Sequence, residues 1–299
     1  MKRAEQKTVE DMIKNLIYDV GIGTGDDTAY YVAKGFRVVV IEADPLLVKE
    51  VSRRFEKEIA IGDLTVLGVG ISDREGSFPF WVCDSKREWS TFDVAVVQEK
   101  RAESGVDFRQ VTIPCRRFRS VLEEFGTPYY LKLDIEGNEI YCLRDLIDSD
   151  LPDYVSFEKT VRWPVESLTI LRNHGYRGFK LISQKAYLPV EYPPSREQRR
   201  YERAGSLLKS RNMFSRMVRK VGLQGWLQRY VDSARYRPDW AFPLGSSGPF
   251  GEETPGRWHT FEEILLTLEK ANSSFAAREP SVFWADKGSS FWADFHVKK

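Results

Sequence analysis

The feature that most constrains this chain is an apolar run broken by a glycine turn, then a helix, then a second run closing on a carboxylate. Leu16-Ile17-Tyr18-Asp19-Val20 leads into Gly21-Ile22-Gly23-Thr24-Gly25, and a helix-compatible stretch follows from Asp26 to Lys34. Arg37-Val38-Val39-Val40-Ile41 is β-branched and ends on Glu42, 21 residues after Gly21. Two strands joined through a helix lie parallel by a right-handed crossover, and such a sheet is covered on both faces. The alternation continues. Pro45 to Lys57 reads as a helix with proline in its first turn, and Leu64 to Val69 as a third strand. Further on come a helix near 116–125, a strand at Tyr129–Asp134, a helix at Asn138–Ile147, a strand at Asp153–Glu158, a helix at Val165–His174 and a strand at Gly178–Ser183. The expected fold class is α/β, a Rossmann-like, mostly parallel sheet with helices on both faces.

Composition sets what such a sheet does not serve. The formal net charge of the 299 residues is +1, which gives no global electrostatic basis for binding nucleic acid. Three cysteines, Cys83, Cys115 and Cys142, are far apart and lack metal or disulfide spacing, so they read as reduced, buried thiols. No apolar run has the ~20 residues of a membrane helix. Residues 4–15 carry a mixed helical pattern, and Met1–Glu10 is charged with no apolar signal region behind it, so the expected location is cytoplasmic.

Between Ile71 and Cys115 the alternation lapses. Phe78–Val82 and Phe108–Cys115 read as strands, but Asp84–Asp107 is polar and irregular, and a loop of that length with Trp89-Ser90-Thr91 at its middle reads as a lid over an acceptor. Beyond Gln184 the character changes again. Residues 191–220 are rich in Arg and Lys, interleaved with Glu197 and Glu202 as on a solvated helix face. Thr260 with Glu263 three residues on marks the start of a helix reaching Ala271. The expected division is a cofactor-binding domain over 1–185 and a C-terminal extension over 186–299, packed on the core or shaping the acceptor site.

A glycine turn between strand and helix brings backbone close to a nucleotide, and here its charges select the ligand. Position 26 is Asp where a dinucleotide fingerprint has its third glycine, and Asp19 lies two residues before Gly21. Carboxylates at both places repel a pyrophosphate in a partly desolvated site. S-adenosyl-L-methionine has no phosphate and carries ammonium and sulfonium cations, while Glu42 suits its unphosphorylated ribose. Two rivals stay open: an NAD(P)-dependent oxidoreductase, and a non-catalytic module binding cofactor or glycan.

Three segments carry a family resemblance: Tyr18-Asp19-Val20-Gly21-Ile22-Gly23-Thr24-Gly25, Val40-Ile41-Glu42-Ala43-Asp44-Pro45, and Leu131-Lys132-Leu133-Asp134-Ile135-Glu136-Gly137-Asn138-Glu139. The chain resembles the FkbM-type methyltransferases of the class I S-adenosylmethionine-dependent enzymes over about residues 15–185, with the third segment the most diagnostic. Ile22 and Thr24 depart from the Ala-Asn more usual there. The resemblance implies a seven-stranded sheet and transfer of methyl to oxygen, on a hydroxyl of a sugar, glycan or secondary metabolite. The residues assigned to the cofactor are Asp19, Gly21, Gly23, Gly25, Thr28, Glu42, Ala43, Ile71 and Asp134.

Ligands of such sheets sit beyond the carboxyl ends of the strands. Asp134, Glu136 and Glu158 all fall at such ends and form the candidate catalytic set, with Asp134 first to orient or deprotonate the acceptor. Glu136 and Glu139 have an equal structural reading, as parts of a turn and first helical turn behind an Asn138 cap. Clustered carboxylates also suit a divalent cation, and spacing alone leaves that question open. Lys132, on a central strand, is expected to pair with one of them.

Overall fold

A computed structural model describes residues 15–159, 163–209, 222–233, 239–243, 245–279 and 291–299. All but the last residue of the helical pattern at 4–15, and the part of the basic run over 210–220, lie outside the described residues. The chain divides into two compact units, Met1–Gly175 with Lys299, and Tyr176–Lys298.

The glycine segment folds as its pattern requires, with β1 (Leu16–Val20), helix α1 (Asp26–Ala33) and β2 (Arg37–Ile41). Next come α2 (Pro45–Arg54), a separate short α3 (Glu56–Ile61) and β3 (Leu64–Leu67). Asp44 caps α2 by accepting from Leu46 N at 2.9 Å, with Pro45 at the first position, where its missing N–H costs nothing. After α5 (Phe118–Phe125) the sheet resumes with β7 (Tyr130–Leu133), α6 (Glu139–Arg144), β8 (Tyr154–Glu158) and α7 (Pro164–Asn173). The seven-stranded, mostly parallel sheet has the order β3-β2-β1-β7-β8-β10-β9, where β9 is Gly178–Ser183 and β10 is Ala293–Lys298. Pairs β1–β2, β1–β7, β2–β3 and β7–β8 are parallel. Every residue of β1 and β7 is buried, as befits strands covered on both faces.

The stretch expected to be an irregular lid is more ordered than that. β4 (Gly70–Ile71), β5 (Gly76–Val82) and β6 (Arg109–Arg116) form a small second sheet, with β5 and β6 antiparallel. Between β5 and β6 lie a 3-10 turn, Arg87–Trp89, and helix α4, Val94–Ser104. Asp93 caps α4 by accepting from Ala95 N at 2.8 Å, and Gly105 ends it with φ of 64°. The first is a recognisable start signal and the second a stop signal. They were masked because α4 buries only Val97 and so has no apolar stripe.

In the second unit, β9 and β10 pair antiparallel, from Ala293↔Ser183 to Lys298↔Gly178. β10 is a strand that pattern reading passed over. Helix α8 (Arg196–Lys209) buries Gln198, Tyr201 and Ala204 and leaves Arg196, Arg199, Arg200 and Arg203 exposed. α9 (Gln224–Asp232) packs on it through Leu227. α10 (Phe261–Ala276) begins with the reciprocal Thr260–Glu263 capping box. Among the described residues, no helix is long and apolar enough to cross a membrane.

Candidate active site

Main-chain bonds shape the glycine turn. Gly21 N donates to Ile41 O at 2.9 Å, Asp134 N to Val20 O at 2.8 Å, and Gly25 N to Ile22 O at 2.9 Å. Gly21 has φ of 84°, and a Cβ there would lie 1.7 Å from the carbonyl oxygen of Asp134. Gly23 has φ of 52° and nothing within 4 Å of where its Cβ would stand. The first glycine lets two strand ends touch, and the second leaves open space above the turn.

Beneath the turn lies a buried polar layer. Asp19 is fully buried, accepting from Thr28 Oγ1 at 2.6 Å and from Lys132 Nζ at 2.9 Å. Lys132 also donates to Gly21 O at 3.0 Å and stands 3.7 Å from Asp27 and 3.8 Å from Asp134. Lys132 is paired, but its nearest partner is Asp19 of β1 rather than one of the strand-end carboxylates expected, of which Asp134 stands at 3.8 Å. Asp19 is thus tied to the turn through Lys132, which bonds both its carboxylate and Gly21 O. Three carboxylates surround one ammonium. Arg54, which donates to Thr24 O, is itself paired with Asp26 at 2.9 Å.

Glu42 closes β2 and is 7% exposed, with Oε1 accepting from Asp44 N at 2.7 Å. Burial pushes its carboxyl up to about 7, and backbone N–H groups of Asp44, Ile22 and Ala43 pull the other way. Ala43 packs on the Phe80, Val82 and Ile113 cluster of the small sheet. Arg87 reaches from the segment before α4 to Asp44 at 2.7 Å and to Asp84 at 2.9 Å. Ile71 is buried, and its carbonyl accepts from Asn138 Nδ2 at 3.0 Å. Asn138 occupies the position before α6, yet its side chain makes no cap bond because it spans to Ile71 instead.

At the end of β7, Asp134 keeps 38% of its side chain exposed. Burial of the rest raises its pKa, and Lys132 opposes that rise. Glu136 adopts φ of 52°, and its carbonyl accepts from buried Thr91 at 2.7 Å. Its carboxyl is pushed up to about 8, chiefly by burial, against the pull of Lys100. Glu139 is 3% exposed and accepts from Ile135 N and Gly137 N at 3.0 Å each, which gives it the structural reading as the tie of the turn. Leu133 pairs with Phe157, so Asp134 and Glu158 follow as successors at neighbouring strand ends.

Trp89 is half-buried between two ammonium groups, with Lys86 at 3.7 Å and Lys100 at 4.6 Å from its ring centre. Sequence reasoning passed over Lys159, which follows Glu158, is 7% exposed and has its pKa lowered by burial to about 8. A lysine directly after a buried strand and a strand-end glutamate is the signal that could have found it. Among the described residues, no group of three or more His, Cys, Asp or Glu is arranged to hold a metal ion.

A sequence model described as "Methyltransferase FkbM domain" matches residues 19–177, more than half of the chain. A curated protein named probable ribosomal RNA small subunit methyltransferase A, from Methanospirillum hungatei JF-1, is 39% identical over 57 residues, which cover 19% of this chain and 22% of that protein. Among solved structures, a methyltransferase FkbM from Methylobacillus flagellatus KT aligns at 22% identity with a TM-score of 0.38, covering 56% of this chain and 40% of the other. A SAM-dependent methyltransferase from Thiobacillus denitrificans, solved with S-adenosyl-L-homocysteine, aligns at 11% identity and a TM-score of 0.30, covering 95% and 84%. The chain thus spans under a quarter of that curated relative and two fifths of the Methylobacillus structure.

Proposed function

Because this chain belongs to the FkbM methyltransferase family, we propose that it transfers a methyl group from S-adenosyl-L-methionine to a hydroxyl oxygen of a sugar, glycan or secondary metabolite. The observation that carries the reading is the charge under the glycine turn. Asp19, Asp27 and Asp134 lie within 4 Å of Lys132, so their three negative charges meet one positive. A site of that sign in a low-dielectric setting repels a pyrophosphate and attracts a cation. The orphan space above Gly23 leaves room for a ligand to lie against the backbone.

When bound, the cofactor supplies a methyl group on a sulfonium centre, open to in-line displacement by oxygen. The protein's part is to orient, shield and manage a proton. Glu42 would accept from the ribose hydroxyls, and Ala43 and Ile71 would hold the adenosine. Asp19 and Thr28 hold the turn in place, and Asp134 presents its exposed oxygen to the cationic side. Glu136, Glu158 and Asp134 line the strand ends where an acceptor hydroxyl must be oriented and relieved of its proton. Glu136 at about 8 is matched to a base working near neutrality.

The direct test is calorimetric titration with S-adenosyl-L-homocysteine and, separately, NADH. Micromolar binding of the first and none of the second is expected. NADH binding in place of S-adenosyl-L-homocysteine would end the methyltransferase reading. A pH series adds a second check. Glu42 is protonated increasingly below about 7, and only its ionised form accepts from both hydroxyls. Affinity should therefore fall as pH drops from 8 to 6, by roughly three- to tenfold. Glu42→Gln should bind weakly with no such slope, and an unchanged slope would remove Glu42 from the ribose.

A further inference from the structure

Lys132 is the least expected residue of the central sheet. It sits on β7, whose four residues are all buried, and its side chain is 3% exposed. Alternation along the strand places Tyr130, Lys132 and Asp134 toward the same face. Neighbouring strands add to that face, through Asp19 paired with Lys132 across β1 and Ser156 paired with it across β8. Tyr130 and Ser156 hydroxyls meet at 2.5 Å, so the polar row continues inward from the lysine. Outward, the row ends at Asp134, the only one of Lys132's three acidic neighbours that opens to solvent.

The ammonium is therefore a shared anchor. It fixes the glycine turn through Gly21 O at 3.0 Å, the β1 carboxylate of Asp19 at 2.9 Å, and stands 3.8 Å from the site-facing Asp134. We propose that Lys132 is a positioning residue for the proposed transfer, holding the Asp134 carboxylate ionised and in place at the strand end while tying it to the cofactor turn. The assignment rests on the methyltransferase reading. Lys132 touches neither donor nor acceptor and acts through Asp134.

Charges around Asp134 explain why an anchor is required. Asp19 on β1 raises its proton affinity, Asp27 of α1 stands 3.7 Å from the same ammonium, Glu136 and Glu139 follow on its own segment, and Glu158 ends the adjoining strand. The Lys100 ammonium of α4 favours the ionised form of Glu136. Burial and the Asp19 carboxylate favour a proton on Asp134, and Lys132 opposes them. A protonated Asp134 loses its pull on a cation and cannot accept a proton from an alcohol.

The test follows the Asp134 carboxyl by carbon NMR during a pH titration of ligand-free protein, in wild type, Lys132→Met and Lys132→Arg. The Met variant should move the midpoint upward by about one unit or more, a tenfold rise in proton affinity. The Arg variant should stay close to wild type. A merely structural lysine predicts loss of stability with the midpoint unmoved, and that result overturns the proposal, as does an Arg variant that shifts as far as Met. Should Lys132→Met fail to fold, Asp27→Asn takes its place. Removing that competing carboxylate should lower the midpoint, and no movement overturns the proposal. Binding of S-adenosyl-L-homocysteine by wild type tests the parent reading separately, since the titration needs no ligand.

Discussion

Gly21→Ala is expected to destabilise the protein by about 3 kcal/mol or more, whereas Gly23→Ala, two residues on, should leave the fold standing and abolish cofactor binding. The reason lies in what each new methyl meets. At Gly21 it would stand 1.7 Å from the Asp134 carbonyl oxygen, well inside contact distance, and that oxygen belongs to backbone that cannot swing aside. The turn would have to separate from β7, breaking the bond from Asp134 N to Val20 O. At Gly23 there is nothing within 4 Å. The only folding penalty is the left-handed backbone, about 1 kcal/mol. The methyl instead enters the space assigned to the ligand. Urea denaturation and titration with S-adenosyl-L-homocysteine on both variants read the two effects apart. Equal stability losses in the two would refute the assignment of packing to one glycine and of ligand space to the other.

Asp19→Ala should be nearly as damaging, with about 3–5 kcal/mol lost, because it deprives a buried ammonium of its nearest counter-charge. Lys132 would retain Asp27 and Asp134 only at 3.7 and 3.8 Å, and Thr28 Oγ1 would lose its acceptor. The lysine is then expected to draw Asp134 inward, and affinity for S-adenosyl-L-homocysteine should fall at least tenfold, about 1.4 kcal/mol. Asp19→Asn keeps the shape and an acceptor for Thr28, so it should lie between wild type and Ala in stability. A loss under ~1 kcal/mol for Asp19→Ala in chemical denaturation would mean the layer is not held together by this pair.

Much of this was legible because the central strands are written in two unambiguous ways. β-branched runs such as Arg37–Ile41 and the glycines that end β1 state both the strand and the turn. The need of Lys132 for a carboxylate was readable as a cost, but its hydrogen-bonded partner is Asp19, 113 residues away, and not one of the neighbouring strand-end groups. Less was legible where periodicity is weak or where partners are distant in sequence. α4 lacks an apolar stripe, so its capping Asp93 and terminal Gly105 went unread within a stretch expected to be an irregular loop. Thr91 meets Glu136 across 45 residues, a relation no local window contains. In sequence Glu136 and Glu139 share the same two readings, and the two backbone N–H groups on Glu139 support the structural one for it. Asn138 looked like a cap, but its amide spans to Ile71.

The geometry of the glycine turn has a bearing on how this chain can drift. The bonds that close it run between main-chain atoms, from Gly21 to Ile41, Gly25 to Ile22 and Asp134 to Val20. No side chain at position 22 or 24 takes part in them. Thr24 is exposed, with its hydroxyl on Asp26, and Ile22 is merely an apolar plug, 4% exposed. Of the two, Thr24 is where a mutation leaves the scaffold undisturbed, whereas a smaller residue at the buried Ile22 would open a cavity. Substitutions could accumulate at Thr24 and retune contact with a ligand, while Gly21 stayed locked by its neighbour. A saturation library at Thr24 would thus sample ligand preference on an unchanged frame.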